Sequence, residues 1–263
     1  MSQFKHLTLW VALGLGALSG CAPLPTAQVP FTVGRAQLVL PPGQWIDLGG
    51  SEQALTLLPE VGATLPLHTR TVGLRAPGTG NGPESGWLAV LKVQTNSTNY
   101  ERAETRWTDT CPQQKGVLVE DATAAETSAG RLTSHTRIDC LRFKRYANQD
   151  GWMETYQPAL APWLVQPSLS PGEKPAPTPA YSHLHYRYAT DGGAYVDVQA
   201  VVDQRLLRPP THNNREFLAA GRPGQAWIHD VALAARQSTA QLDGRLLIPA
   251  FPIAFPIAPP SPR

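Results

Sequence analysis

The chain has 263 residues, of which 42% are hydrophobic and 16% charged, with 22 Lys and Arg against 20 Asp and Glu. A net charge of +2 lacks the basic excess that gripping nucleic acid phosphate demands, so no nucleic acid partner is expected. The 26 prolines break helices and central strands, and three cysteines without a C-x-x-C pair do not fill a tetrahedral zinc site.

The first 20 residues follow the secretory pattern. Lys5 supplies a basic start, residues 7–18 are apolar, and small residues follow. That run is too short to cross a bilayer, which takes about 20 apolar residues. Leu18-Ser19-Gly20-Cys21 resembles the bacterial lipobox, in which a Leu stands three residues before an obligatory Cys. The resemblance to bacterial lipoproteins is confined to residues 1–21. It implies a diacylglycerol on the Cys21 sulfur, cleavage before that residue, and acylation of the new amine. Several chains at about 0.8 kcal/mol per buried CH₂ make a durable membrane anchor, where one chain is marginal. Ala22, with no Asp in its place, implies sorting to the outer membrane, with the domain on the periplasmic face rather than the cell surface. Residues 21–31 then read as a tether reaching at most about 3.1 Å per residue.

With Cys21 lipidated, Cys111 and Cys140 remain. An even pair in an oxidising compartment is expected as a disulfide, worth about 3–4 kcal/mol in the chain-entropy picture.

In chain order, residues 35–40 read as a strand, Pro41-Pro42-Gly43 as a turn, and residues 45–48 as a returning strand. Together they predict a hairpin. Ser51 caps a predicted short helix over residues 51–58 that Pro59 ends. Alternation over residues 65–72 predicts a strand exposed on one side. The Gly-rich stretch 76–86 precedes an apolar strand at 87–93 rather than a helix, which argues against a phosphate cradle. Asn96-Ser97-Thr98 matches the N-glycosylation pattern, which is irrelevant in a bacterial lipoprotein. Residues 117–120 and 131–146 are two further strands, which a Cys111–Cys140 bridge would staple. Arg142, Lys144 and Arg145 read as a solvated sheet edge. Residues 158–180 read as a long Pro-rich surface insertion, a place where interaction loops occur.

Two apolar runs flank Asp191-Gly192-Gly193. A three-residue loop pairs Leu184 with Ala200, Tyr186 with Val198 and Tyr188 with Val196, all apolar. Arg187 with Asp197 and His185 with Gln199 then fall on the opposite face; a two-residue loop would scramble both faces. His183 and His185 share that polar face as candidate metal ligands. No third ligand is tied to them in sequence, so they read as histidines of a solvated sheet surface, and no metal or cofactor is expected.

Residues 223–242 carry the one strongly amphipathic helix, with Trp227, Val231, Ala235 and Leu242 on one face and Asp243-Gly244 as its stop. The predicted fold is α+β: a mostly antiparallel sheet with one long C-terminal helix laid on a face. A single β-rich domain over residues 32–248 is followed by a Pro-rich apolar tail over 249–263. There Ala250-Phe251-Pro252-Ile253 is repeated as Ala254-Phe255-Pro256-Ile257. Phe251, Ile253, Phe255 and Ile257 are the candidate partner-binding residues.

No G-x-S-x-G elbow, H-E-x-x-H or Walker loop occurs. The leading expectation is a non-enzymatic envelope lipoprotein that binds a protein partner or supports assembly of an envelope complex. A small-ligand carrier, with its pocket between sheet and C-terminal helix, is the first alternative. A hydrolase whose Ser, His and acid converge from scattered positions is the second.

Overall fold

The computed structural model describes residues 31–56, 64–75, 86–97, 111–123, 136–164, 179–240 and 244–254. Its strands run in chain order as β1 (Phe31–Val33), β2 (Ala36–Val39), β3 (Gln44–Thr56), β4 (Thr64–Arg75), β5 (Trp87–Asn96), β6 (Leu118–Asp121) and β7 (Thr136–Lys144). After α1 (Trp152–Tyr156) and a 3₁₀ turn (Ala161–Leu164) come β8 (Tyr181–Thr190) and β9 (Tyr195–Asp203). Helices α2 (Gln204–Leu207), α3 (Asn214–Ala219) and α4 (Arg222–Ala240) lead to β10 (Arg245–Leu247). The large sheet is antiparallel throughout, in the order β3-β4-β5-β9-β8-β7-β6. The small sheet has the order β1-β2-β10, with β10 parallel to β2.

The fold is therefore α+β with one long C-terminal helix on a sheet face, as the pattern predicts. Trp227, Ile228, Val231, Ala232 and Ala235 of α4 join Leu184, Tyr186, Val196, Val198 and Ala200 of β8 and β9 in one core. Leu38 and Leu246 of the small sheet complete it. Leu242 lies outside the described residues. Trp227 is core, since its ring is buried and its indole N–H donates to the Pro249 carbonyl at 3.1 Å.

The β8–β9 hairpin forms in the three-residue register. Tyr188 faces Val196, Tyr186 faces Val198, Leu184 faces Ala200, and Arg187 faces Asp197. Gly193 takes the left-handed turn position at φ 79°, and the Thr190 amide donates to the Ala194 carbonyl at 3.0 Å. Cys111 and Cys140 are disulfide-bonded, tying the segment before β6 to the middle of β7.

Other expectations are corrected. Residues 35–40 and 45–48 do not pair with each other: β2 pairs with β1 and β10, whereas β3 pairs with β4. No helix forms over the described residues 51–56, because β3 continues through Gly49-Gly50 with a bulge and stays in register with β4 to Thr56. Strand neighbours overrode the Ser51 cap signal. Of the basic run, Arg142 is not at a sheet edge, since β6 lies outside β7 and pairs with residues 140–143; Lys144 and Arg145 lie beyond that ladder. The start of the Pro-rich insertion packs into the domain, with Leu160, Ala161 and Leu164 buried beside Trp152 and Met153. Residues 165–178 lie outside the described set, as does the Gly-rich stretch 76–85.

Candidate functional site

An apolar cleft of about 540 Å³ opens beside the main core. The Pro41-Pro42-Gly43 turn forms one wall, fixed by the Trp45 indole N–H donating to the Pro41 carbonyl at 2.8 Å. Leu74 and Leu88, at the ends of β4 and β5, form the floor with Leu206 of α2. The opposite wall is the chain after β10. Phe251 stacks on Trp227 with ring centroids 5.2 Å apart, and the Ile253 amide donates to the Leu206 carbonyl at 3.0 Å. Two of the four sequence candidates, Phe251 and Ile253, thus come together as lining residues. Phe255 and Ile257 lie outside the described residues. Among the described residues Arg75 is the only charged one lining the cleft, and its guanidinium sits 5.2 Å from the centre of the Trp87 ring. The arrangement offers apolar seats beside one cation.

The histidine pair lies elsewhere, on the opposite face of the large sheet, and it is not solvated. His183 is 2% exposed, His185 9% and Asp197 6%. The cover comes from a remote segment: the Trp152 ring packs 5.3 Å from that of His183. Burial drives the His183 imidazole down to about 3, with repulsion from His185 adding to it, so His183 is neutral. His185 Nε2 lies 2.7 Å from Asp197 Oδ2. Burial alone would push the Asp197 carboxyl up, but the charges of His185 and Arg187 and the hydrogen bonds from His185 and Gln199 together hold the group below its ordinary value. Among the described residues no group of three His, Cys, Asp or Glu side chains is placed to hold a metal ion. The histidines that sequence spacing singled out form part of a polar interior.

A different histidine stands in an open polar groove of about 450 Å³ between the β1–β2 turn and strands β3 and β4. His68 Nδ1 lies 3.1 Å from Glu52 Oε1, and His68 Nε2 is in hydrogen-bond contact with Ser97 Oγ. Arg70, two residues from His68, lines the same groove and pairs with Asp47 at 2.6 Å. Sequence reading missed this cluster. Its members are 16 and 29 residues apart on three strands or their ends, and only the β3–β4–β5 register reveals them. Asn96, the first residue of the glycosylation pattern, is fully buried, and its side chain accepts from the Tyr195 amide and donates to the Gly193 carbonyl.

No protein family, curated protein or solved structure matches the chain.

Proposed function

We propose that the chain is an envelope lipoprotein held in the outer membrane by acyl chains on Cys21, whose periplasmic domain binds an apolar segment of an envelope protein at the Phe251–Ile253 cleft. The carrying observation is the cleft itself: an apolar recess of about 540 Å³ with one cation at its side. Recesses of this kind take the aromatic or aliphatic anchors that dominate binding energy between proteins. Arg75 complements a carboxylate on the bound segment. The N-terminal lipobox supplies the address, and no described helix is long and apolar enough to cross a membrane.

The cleft suits a partner better than a carried ligand. Small-ligand sites usually enclose most of the ligand's surface. Here the space between sheet and α4 is filled by core side chains, and the recess is open rather than enclosed.

Intact mass measurement on protein from native membranes tests the anchor: acylation at Cys21 is expected, and an uncleaved or unlipidated chain would refute it. A photo-crosslinking residue at Ile253 tests the site, with exposed Leu233 on α4 as the control position. One envelope protein should be captured at Ile253 and not at Leu233, and Ala254→Arg at the exposed rim should abolish the capture. Equal capture at both positions would refute the site.

A further inference from the structure

The geometry points to a second site with its own chemistry: Ser97 as nucleophile, His68 as its base and Glu52 as the residue that positions the base, together hydrolysing small acyl esters. This goes beyond the binding reading and does not depend on it.

Topology assembles the three groups. Glu52 on β3 is directly opposite His68 on β4. Leu67, next to His68, pairs with Asn96 at the end of β5, which leaves Ser97 one step further, beside the imidazole. The two ring nitrogens are divided between an acid and a hydroxyl, at 3.1 Å on the Nδ1 side and in contact on the Nε2 side. A carboxylate only accepts, so it selects the tautomer with hydrogen on Nδ1. Nε2 is then left with the lone pair that can take the Ser97 proton. This is the division of roles that activates a serine in convergent hydrolases on unrelated folds.

Access and surroundings fit. The imidazole is 29% exposed and opens into the groove, where a substrate can reach it. Gly34 and Gly50 line the groove without side chains, and Arg70, ion-paired with Asp47, stands in the same groove two residues from His68. The polar walls favour a short acyl group over a long chain. The other His–acid pair makes the contrast: His185 and Asp197 are buried, no hydroxyl bonds the ring, and His185 Nδ1 has no hydrogen-bond partner. That pair is structural; the His68 cluster has all three groups in order.

The chemistry balances without a cofactor. As Ser97 Oγ bonds to the ester carbonyl carbon, its proton passes to His68 Nε2. The tetrahedral adduct collapses and breaks the bond to the alcohol oxygen, which takes that proton and leaves. Water then attacks the acyl-serine, giving its proton to His68, and the carboxylic acid departs as Ser97 regains its hydrogen.

The test uses detergent-solubilised full-length protein with a fluorophosphonate probe and, separately, p-nitrophenyl acetate. The probe should label Ser97, identified by peptide mass, and Ser97→Ala should abolish the label. Ester turnover should fall about 10²–10⁴-fold in His68→Gln, the range for losing a general base, and at least as far in Ser97→Ala, which removes the nucleophile. Glu52→Gln should lower kcat with KM unchanged, and Glu52→Asp should recover part of the loss, which a merely structural carboxylate would not do. Circular-dichroism melts establish that each variant folds. Absence of labelling, a label that survives Ser97→Ala, or equal turnover by Ser97→Ala would overturn the assignment.

Discussion

His183 shows how one residue can set the acid stability of the domain. Its imidazole falls from the ordinary 6.5 to about 3, chiefly through burial. Between those values the unfolded chain binds a proton that the folded chain refuses. The stability of the neutral, buried form is therefore complete above pH 6.5 and is lost as pH falls toward 3, by up to about 1.4 kcal/mol per unit. Asp197 acts in the same direction lower down: its carboxyl is held below the ordinary 3.8, so its contribution is present above that value and vanishes as pH drops through the folded one. Urea midpoints measured between pH 7 and 4 should fall steeply for the native chain and clearly less for His183→Gln. Equal slopes would show that His183 is not the group responsible. A second single-residue dependence lies at Gly244. Its φ is +60°, and a Cβ there would stand 2.2 Å from the Arg35 carbonyl oxygen. Because that neighbour is backbone, Gly244→Ala should cost at least about 2 kcal/mol in chemical denaturation, through left-handed strain and displacement of β10. A loss under 0.5 kcal/mol, the usual surface value, would contradict this.

Among the elements, those whose pairing is local were legible and those with distant neighbours were not. The β8–β9 register could be read because the five pairs from Tyr188–Val196 to Leu184–Ala200 match apolar with apolar and polar with polar, and a one-residue slip reverses every face. The α4 stripe could be read because its burial repeats with helical period. β3 could not: Gly49-Gly50 and Ser51 are ordinary turn and cap residues, and only the ladder to β4 on one side makes them a bulged strand. The solvent exposure of His183 and His185 was misread for a related reason, since Trp152, 31 residues earlier, supplies the cover. The disulfide gives the test at this scale. It closes a separation of 29 residues and fastens the four-residue β6 segment to β7. Replacing Cys111 and Cys140 together by Ser should cost about 3–4 kcal/mol. For a domain of this size that lowers Tm by roughly 10 °C. Amide exchange should rise first in β6, the edge strand of the large sheet that the disulfide holds against β7. A Tm unchanged after double replacement would mean the loop was already held by other contacts.

Seen whole, the domain is closed by its own two ends. β1 and β2 come from the first described residues, and β10, more than 200 positions later, enters parallel to β2 and completes the small sheet over the core. Beyond Phe251 and Ile253, neither candidate site could be read from sequence for the same reason. The cleft joins Pro41, Leu74 and Phe251, and the groove joins Glu52, His68 and Ser97 with the β1–β2 turn; no window of the chain contains either set. Closure by the ends also means that stability and binding share one element. Ile248 donates to the Val39 carbonyl at 2.9 Å, Pro249 accepts from Trp227, and Phe251 both covers the Trp227 ring and walls the cleft. A chain ending at Gly244 loses all of these, removes Leu246 and Ile248 from the core, and uncovers Leu38 and Trp227. At about 1.5–3 kcal/mol for each large apolar side chain returned to water, the loss matches the whole stability of an ordinary domain. Such a truncation should give no cooperative thermal transition and should bind a dye for exposed apolar surface. A sharp transition near the native Tm would mean that the large sheet and α4 fold without the small sheet, and β10 with the tail would then be a binding strap rather than a structural clasp.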